Sequence, residues 1–274
     1  MDAIKSKVKQ TAPGLFQALS SSRDALVRVK ELPGRVLHPW WRASTRRIGK
    51  FQDRYRGERC FVIGNGPSLK GMDLSPLKDE FTFGMNRIYL AFKEWGFETS
   101  FLVSVNDLVV EQCWEDFQGL SLPKFFSWRS HELLYPQGEP GEGTHFLYTT
   151  YTGRRFNTRI QSRFWEGATV SYVCLQLAYC MGFSEVFLIG VDHSFEAQGK
   201  ANQTVVSGGD DPNHFSPEYF GKGFRWQLPD LETSELAYRL AQESYTAGGR
   251  KIWDATVGGM LDVFPKVDYY QLFD

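Results

Sequence analysis

The stretch RCFVIGNGPSLKGMDLSPL, residues 59–77, decides the predicted fold. Its apolar run CFVIG, residues 60–64, has the length and composition of a buried strand, and it stops at the turn Gly-Asn-Gly-Pro-Ser, residues 64–68. Glycine lets a backbone approach a ligand closely, so a glycine-rich turn after a buried strand is typical of phosphate-binding sites. The stretch therefore predicts an α/β domain with a ligand site directly after its first strand.

The turn matches neither of the two familiar phosphate loops. A dinucleotide fingerprint requires a third glycine three residues after Gly66, and that position is Leu69. A P-loop ends in Gly-Lys-Ser or Gly-Lys-Thr, whereas Lys70 is followed by Gly71. We therefore expect the turn to hold a ligand together with other strand ends, and not to wrap a pyrophosphate by itself.

Short apolar runs alternate with helix-like stretches along the rest of the chain. Residues 168–182 are apolar nearly all round and predict a buried helix, and residues 230–247 predict an amphipathic helix. This alternation predicts a Rossmann-like, doubly wound α/β fold, with a mostly parallel sheet and helices on both faces. The further predicted strands are FTFGMN (81–86), SFLVSVND (100–107), PKFFSW (123–128), SEVFLIGVD (184–192) and RKIWDAT (250–256).

Residues 1–55 differ from the rest of the chain and predict a basic helical N-terminal extension before a catalytic domain of residues 56–274. Residues 14–31 have the pattern of one amphipathic helix. Trp40 and Trp41 lie beside several arginines, a combination that suits an anionic membrane surface. We favour a helical arm packed on the main domain, with peripheral attachment to the inner face of the membrane as the alternative.

Composition limits the class of protein. The chain has 274 residues, 42% of them hydrophobic, and a net charge of −1, which gives no support for nucleic-acid binding. Its four cysteines have no metal-ligand spacing, so we expect buried thiols in a reducing, cytoplasmic compartment. No apolar stretch is long enough to span a bilayer, and we expect no secretory signal and a homo-oligomer.

Polar residues follow four of the predicted strands directly. Because the carboxyl ends of parallel strands share one edge of a sheet, we expect these residues to converge on one cleft. Asparagine amides suit a nucleotide's base, ribose and phosphate, and a helix beginning near Pro67 is expected to aim free N–H groups at a phosphate. The alternative is that these are ordinary turn residues. The groups are Gly64, Asn65, Gly66 and Ser68; Asn86 and Arg87; Asn106 and Asp107; and Gly190, Asp192, His193 and Ser194.

The segment of residues 193–230 is too long for a simple connection and predicts a lid over the site. It contains His214, which can act as a general base, although a loop histidine is more often only a polar loop residue. Magnesium together with a substrate phosphate is a further alternative, but the sequence contains no recognised metal motif, and we expect no essential metal. The carboxylates available for such a site are Asp107, Asp192, Asp210 and Asp211.

The stretch VIGNGPSLKGMDLSPLKDEFTFGMNRIYL, residues 62–90, resembles the opening of two related families. One comprises the bacterial CMP-sialic-acid-dependent sialyltransferases that modify lipooligosaccharide. The closer resemblance is to the MptE-like family, named for an archaeal 6-hydroxymethylpterin diphosphokinase, many of whose bacterial members lie in surface-polysaccharide contexts. The resemblance covers roughly residues 59–110 and 166–255, and it does not separate the two activities.

The resemblance to the sialyltransferases implies roles for the matching residues at the nucleotide. Asn65 would contact the nucleotide of the donor, and Asn86 and Asn106 would contact its ribose and phosphate. Thr169, at the start of the predicted buried helix, matches a nucleotide-contacting serine of that family.

The same resemblance implies that Gly190 and Asp192 line the base and ribose end, and that His214 is the general base. Two departures from the family pattern matter. The first of two tyrosines that stabilise the leaving phosphate is replaced by Ser194, and ungapped spacing places Glu218 at the position of the base. His214 and Glu218 are therefore both candidates for the base. The candidates for the missing phosphate contact are Arg154, Arg155, Arg159, Arg163 and Arg225.

The functional prediction is a glycosyltransferase that moves a sialic or related ulosonic acid from a CMP-linked nucleotide sugar to a carbohydrate acceptor. We expect inverting, metal-independent transfer. The alternatives are an MptE-like diphosphokinase that transfers pyrophosphate from ATP with magnesium, and a nucleotide-binding module without catalysis.

Overall fold

The structure is a computed structural model that describes residues 22, 35–134, 140, 141, 143–195, 199–209 and 211–273. The helix predicted over residues 14–31 lies outside the described residues except for Ser22, and Asp210 also lies outside them. Every helix in the described ranges is too short or too polar to cross a membrane.

Eight parallel strands form one sheet, in the order β10-β7-β1-β2-β3-β4-β5-β6. Two further strands, β8 and β9, form a separate antiparallel hairpin. The strands are β1 (Arg59–Ile63), β2 (Phe81–Met85), β3 (Phe101–Ser104), β4 (Lys124–Ser127), β5 (Thr144–Thr150), β6 (Arg163–Trp165), β7 (Glu185–Ile189), β8 (Thr204–Val206), β9 (Arg225–Gln227) and β10 (Lys251–Asp254).

Helices cover both faces of the sheet, as the alternating sequence predicts. Those that lie wholly in the described residues are α1 (Pro39–Ile48), α2 (Phe92–Trp95), α3 (Asp107–Gln112), α4 (Trp114–Gly119), α5 (His131–Leu134), α6 (Val170–Met181) and α7 (Leu231–Ala247). The short 3-10 helices are Gly49–Phe51, Pro67–Leu69, Ser75–Asp79, Ile88–Ala91, Trp128–Ser130 and Tyr270–Leu272.

Alternate residues of the central strand β1 enter two different cores. Cys60 and Val62 pack with α6 and α7, and Phe61 and Ile63 pack with α3 and α4. A strand that is buried on both faces must be apolar throughout, which explains the continuous run CFVI. The predicted Rossmann-like, doubly wound α/β class is confirmed. The sheet, which was predicted to be mostly parallel, is fully parallel.

The order of the strands fixes where a ligand can bind. The chain builds the sheet outward from β1 to β6 and then returns to place β7 on the other side of β1. Strand order therefore reverses between β1 and β7, and a crevice opens at their carboxyl ends, where ligands of open α/β sheets bind.

The sequence did not predict β5, β6 or the hairpin. β6 has three residues and the hairpin strands have three each, which is too short for a periodic pattern. β5 carries His145 and three threonines among its apolar residues, so its run is broken. These strands form because neighbouring strands supply backbone hydrogen-bond partners. Their formation therefore depends on tertiary contacts and not on the local sequence.

Helix α1 packs on β5 and completes the edge of the sheet there. Phe146 N–H donates to Ser44 Oγ at 2.6 Å, and Arg47 donates to the carbonyl of Thr144 at 3.2 Å. Ile48 and Phe51 are buried in the main core. This part of the predicted arm therefore packs on the main domain, and the domain boundary at residue 55 stays a prediction.

His145 on β5 is enclosed by aromatic rings. Its ring stacks on Phe125 at 5.1 Å and meets the edge of Phe51 at 5.3 Å, and the residue is 5% exposed. Burial, together with the nearby charges of Arg47 and Lys124, lowers its pKa from 6.5 to about 4, and burial is the largest cause.

We predict that His145 makes the fold acid-sensitive between pH 6.5 and about 4. In that interval the unfolded chain binds a proton that the folded chain excludes, so the free energy of unfolding falls as the pH falls. The total loss should be about 3 kcal/mol. The free energy of unfolding, measured in urea from pH 7.5 to 4.5, should depend less on pH in His145→Phe than in the wild type. Equal slopes for His145→Phe and wild type would refute this.

Candidate functional site

A cleft of about 1050 Å³, counting the part that is open to solvent, lies at the switch point between β1 and β7. Eleven of the predicted residues line it, from all four predicted strand ends, the start of α6 and the long segment after β7. These are Gly64, Asn65, Gly66, Asn86, Asn106, Thr169, Gly190, Asp192, His193, Ser194 and His214.

The glycines allow the loops after β1 and β7 to touch. A Cβ on Gly64 would lie 2.1 Å from the carbonyl oxygen of Gly190, and a Cβ on Gly66 would lie 1.7 Å from Asp192 Oδ2. The N–H of Gly64 donates to Ile189 at 2.7 Å, and that of Gly66 donates to Gly190 at 2.9 Å. These glycines are therefore required for contact between two loops, whatever ligand the cleft takes.

The predicted anion site at Pro67 is wrong. The helix there is a three-residue 3-10 turn, and Asp192 receives its donors: Ser68 N–H at 3.0 Å to Oδ1 and Ser68 Oγ–H at 2.7 Å to Oδ2. A carboxylate of the protein thus occupies the place where a phosphate was expected. Burial raises the pKa of Asp192, and the hydrogen bonds from Ser68 oppose this shift.

Asn65 has a free acceptor at the floor of the cleft. It is 8% exposed, its Nδ2 donates to the carbonyl of Met85 at 3.2 Å, and its Oδ1 has no hydrogen-bond partner among the described residues. A buried acceptor without a donor is costly, so this atom is a reason to expect a ligand donor here.

Asn86 and Asn106 lie on the same wall but already have partners. Asn86 adopts a positive φ of 50°, which asparagine tolerates, and its Oδ1 accepts from Ser104 Oγ at 3.0 Å. Asn106 Oδ1 caps helix α3 by accepting from Leu108 N–H at 3.0 Å. Asn106 Nδ2 lies 3.5 Å from Gln227 Oε1 in the hairpin. Each amide thus has a structural role beside its predicted role in binding.

The N-terminus of α6 opens into the cleft. Its cap residue Thr169 accepts no hydrogen bond from the helix, and the first turn contains no acidic residue. Ser171 also lines the cleft, and Tyr238 OH lies 3.4 Å from Thr169 Oγ1. A 12-residue helix that ends in this way concentrates partial positive charge and hydroxyl donors at one point of the wall.

Helix α7 begins at the same cleft but differs from α6. Asp230 caps it by accepting from Thr233 N–H at 3.1 Å, so its N-terminus is already neutralised. From its second turn Glu235 reaches His193, with 3.3 Å between Oε1 and the ring Nε2. His193 has a φ of 57° and lines the cleft, as its place directly after a predicted strand led us to expect, whereas its pairing with Glu235 was not predicted.

His214 forms a pair with a buried carboxylate. Its Nδ1 lies 2.7 Å from Asp211 Oδ2, the two side chains are 12% and 5% exposed, and the ring stacks on Tyr219 at 4.0 Å. A hydrogen bond from Nδ1–H to Asp211 leaves the lone pair of the neutral ring on Nε2. A histidine oriented by a carboxylate is the arrangement of a general base.

The described residues of the predicted lid, 193–195, 199–209 and 211–230, form a flap with several anchors. Phe215 N–H donates to the carbonyl of Asn65 at 2.8 Å. Arg87 donates to the carbonyls of Glu218, at 3.1 Å, and Tyr219. The guanidinium also lies 5.2 Å from the ring of Phe224. Arg87 therefore holds the flap and does not line the cleft, which differs from its predicted place in the nucleotide site.

Three other predicted residues also lie off the cleft wall. Ser68 is turned to Asp192, and Glu218 is exposed on the outside of the flap. Asp107 accepts from Ser130 Oγ at 2.7 Å and pairs with Arg129 at 3.5 Å. The structure thus brings His214 to the cleft and leaves Glu218 outside it, while the role of His214 as base stays a prediction.

Among the described residues that line the cleft, none is a lysine or an arginine. Partial positive charge comes to this wall from the N-terminus of α6. Several other lining residues were not predicted, because they lie in the flap or in α6 and α7, where no strand end marks them. These are Ser171, Phe195, Asn213, Phe220, Trp226, Gln227, Ser234 and Tyr238.

A parallel sheet with a cleft at its switch point defines the Rossmann-like, doubly wound class of α/β protein. The chain belongs to the 6-hydroxymethylpterin diphosphokinase MptE-like family, whose profile matches residues 42–198. The predicted family is confirmed. No curated protein matches the chain.

Two solved structures are similar to the chain at low identity. One is the MAf glycosyltransferase from Magnetospirillum magneticum AMB-1, with 17% identity and a TM-score of 0.47, over 82% of this chain and 38% of that one. The other is a mammalian sialyltransferase in complex with Gal-beta-1-3GalNAc-ortho-nitrophenol, with 16% identity and a TM-score of 0.36, over 74% and 70%. The chain thus spans less than half of the MAf protein.

We predict that Gly64→Ala disrupts the contact between the two loops. The new methyl group would meet the backbone of Gly190 at 2.1 Å, which no side-chain rotation can relieve. The loss should be about 2–4 kcal/mol in the free energy of unfolding. Gly119→Ala is the matched control, since nothing lies within 4 Å of its Cβ position. Similar stabilities of the two variants in urea would contradict the close approach.

Proposed function

We propose that the protein transfers a glycosyl group from a CMP-linked sugar to a carbohydrate acceptor, with His214 as the general base. The observation that carries the proposal is the composition of one cleft. It combines a single uncapped helix N-terminus, a carboxylate-held histidine and no lysine or arginine on its described wall.

The charge of the cleft favours a donor with one phosphate. The phosphodiester of a CMP-linked sugar carries one charge, which the first-turn N–H groups of α6 and the hydroxyls of Thr169 and Ser171 can match, and a sialic acid adds only its own carboxylate. Diphosphate and triphosphate donors carry more charge on the phosphates and are usually held by lysine, arginine or magnesium. The nucleoside would then lie toward β1 and β2, where Asn65 Oδ1 offers the unpartnered acceptor.

The proposed reaction is a direct displacement. Nε2 of His214 takes the proton of an acceptor hydroxyl, and that oxygen attacks the anomeric carbon of the donor. The bond from this carbon to the phosphate oxygen breaks, and CMP leaves with the electron pair. Asp211 stabilises the imidazolium that forms, and the N-terminus of α6 stabilises the charge on the leaving phosphate. Attack from the face opposite the leaving group inverts the anomeric centre.

The choice of a sialic or related ulosonic acid rests on the resemblance of residues 62–90 to the bacterial sialyltransferases. CMP is the nucleotide that those enzymes use. We also propose association with a surface-polysaccharide pathway, a homo-oligomeric state and attachment to the inner face of the membrane.

An MptE-like diphosphokinase is the second candidate, and membership of the family favours it. It would transfer pyrophosphate from ATP with magnesium. The carboxylates suggested for that metal are engaged by protein groups: Asp107 by Ser130 and Arg129, Asp192 by Ser68, and Asp211 by His214. These contacts favour the glycosyltransferase, and a magnesium requirement for nucleotide binding would favour the kinase. A nucleotide-binding module without catalysis would bind CMP without releasing it from any CMP-sugar.

We predict that His214→Ala lowers kcat for release of CMP from CMP-sialic acid in the presence of acceptor by about 100-fold or more, because proton removal is lost. Asp211→Asn should lower kcat as well, through loss of the orienting carboxylate. The affinity for CMP, measured by calorimetry, should stay within about twofold in both variants, since neither residue lies at the proposed phosphate site.

Glu218→Ala is the matched control, since Glu218 is the other candidate base and lies outside the cleft. It should keep wild-type turnover. Full activity of His214→Ala together with an inactive Glu218→Ala would assign the base to Glu218 and contradict the proposal.

A further inference from the structure

An aromatic stack from the flap forms one wall of the cleft. The ring of Phe220 lies between Phe224, at 5.0 Å, and Trp226, at 5.1 Å, with interplanar angles of 23° for both pairs. Phe220 is buried and Trp226 is half-buried, and both line the cleft. The indole of Trp226, which we call the platform, therefore has one face supported by protein and part of its surface left for a ligand.

The hairpin that carries Trp226 is fixed to helix α3. Gln112 Nε2 donates to the carbonyl of Arg225 at 2.9 Å, and its Oε1 accepts from Arg225 N–H at 2.9 Å. The Arg225 guanidinium pairs with Glu111 at 2.9 Å, which neutralises the charge next to the platform. Trp226 is thus oriented before any ligand arrives, which lowers the entropy cost of binding.

The platform lies beside the histidine. The ring of His214 meets the edge of Phe220 at 4.8 Å, so His214 and Trp226 contact the same phenylalanine. Asn106 and Gln227, on the same side of the cleft, supply amide donors and acceptors at 3.5 Å from one another. An apolar ring face with amides around it matches the two kinds of surface of a sugar ring, its C–H face and its hydroxyl edge.

We infer that Trp226, with Asn106 and Gln227, forms the acceptor subsite, and that the acceptor residue bound there is a neutral pyranose ring. The inference rests on the proposed function, because it takes the substrate hydroxyl beside His214 to be that of the acceptor. The ring would stack on Trp226 and present one hydroxyl to Nε2 of His214.

The neutrality of this end of the cleft supports an uncharged acceptor. Among the described lining residues, the acidic ones are Asp192 and Asp230, which are bound by Ser68 and Thr233, and no lysine or arginine is present to hold an anion. The proposed donor already brings one carboxylate into this cleft, so a second acidic sugar would be repelled by it and would lose its hydration without gaining a cation. A neutral hexose exchanges water for the amides at little cost.

The test uses saturation-transfer difference NMR on the full chain with CMP bound, and two probes: methyl β-galactopyranoside and methyl β-glucuronide. The neutral glycoside should bind and the acidic one should bind at least about tenfold more weakly. Trp226→Ala should weaken the neutral glycoside by about tenfold or more, while CMP affinity by calorimetry changes by less than about twofold.

Two further variants keep the result interpretable. Trp226→Phe retains a ring and should keep most of the glycoside binding, which separates stacking from loss of fold. Trp253→Ala removes a half-buried tryptophan on β10, outside the cleft lining, and should leave both ligands unaffected.

Three outcomes would overturn the inference. The first is loss of CMP binding in Trp226→Ala, which would assign the platform to the nucleobase. The second is tighter binding of the acidic glycoside than of the neutral one. The third is that neither glycoside binds to the wild type. The first outcome leaves the proposed transfer reaction intact. The proposed function itself would be contradicted if the wild type did not bind CMP at all.

Discussion

The contact between the loops after β1 and β7 is the constraint on which the site depends. Gly64 and Gly66 meet Gly190 and Asp192 with no room for a Cβ, and Asp192 clamps the turn through Ser68. This contact closes the crevice at the switch point of the sheet. It also engages the N–H groups of Gly64, Gly66 and Ser68, which a glycine-rich turn would otherwise offer to a phosphate, so a phosphate would have to be held elsewhere.

The N-terminus of α6 takes over that role in the proposed mechanism. The helix is buried along nearly its whole length, and its first turn faces the cleft without an acidic residue or a side-chain cap. The flap contributes His214, which Asp211 orients, and the aromatic stack. In the proposed mechanism the phosphate therefore lies at α6 and the acceptor lies against a flap that Arg87 and Gln112 hold in place.

Much of the fold followed from the sequence, because buried parallel strands such as CFVI and VFLI are apolar on both faces and stand out as continuous runs. The convergence of the strand ends also followed, since parallel strands share an edge. The directions of individual side chains did not. Arg87 and Asp107 follow strands as predicted, yet both turn to protein partners that are distant in sequence, Tyr219 and Arg129. The three-residue strands and the pairing of His193 with Glu235 depend on tertiary contacts that no local pattern records.

The most direct test of a single-phosphate cleft is a calorimetric titration of the protein with CMP, UDP and ATP, each with and without magnesium. CMP should bind without magnesium, and UDP and ATP should bind at least about tenfold more weakly, because the described cleft wall has one helix N-terminus and no lysine or arginine to neutralise further charge. Binding of ATP that requires magnesium, with no signal from CMP, would contradict the single-phosphate site and favour the diphosphokinase.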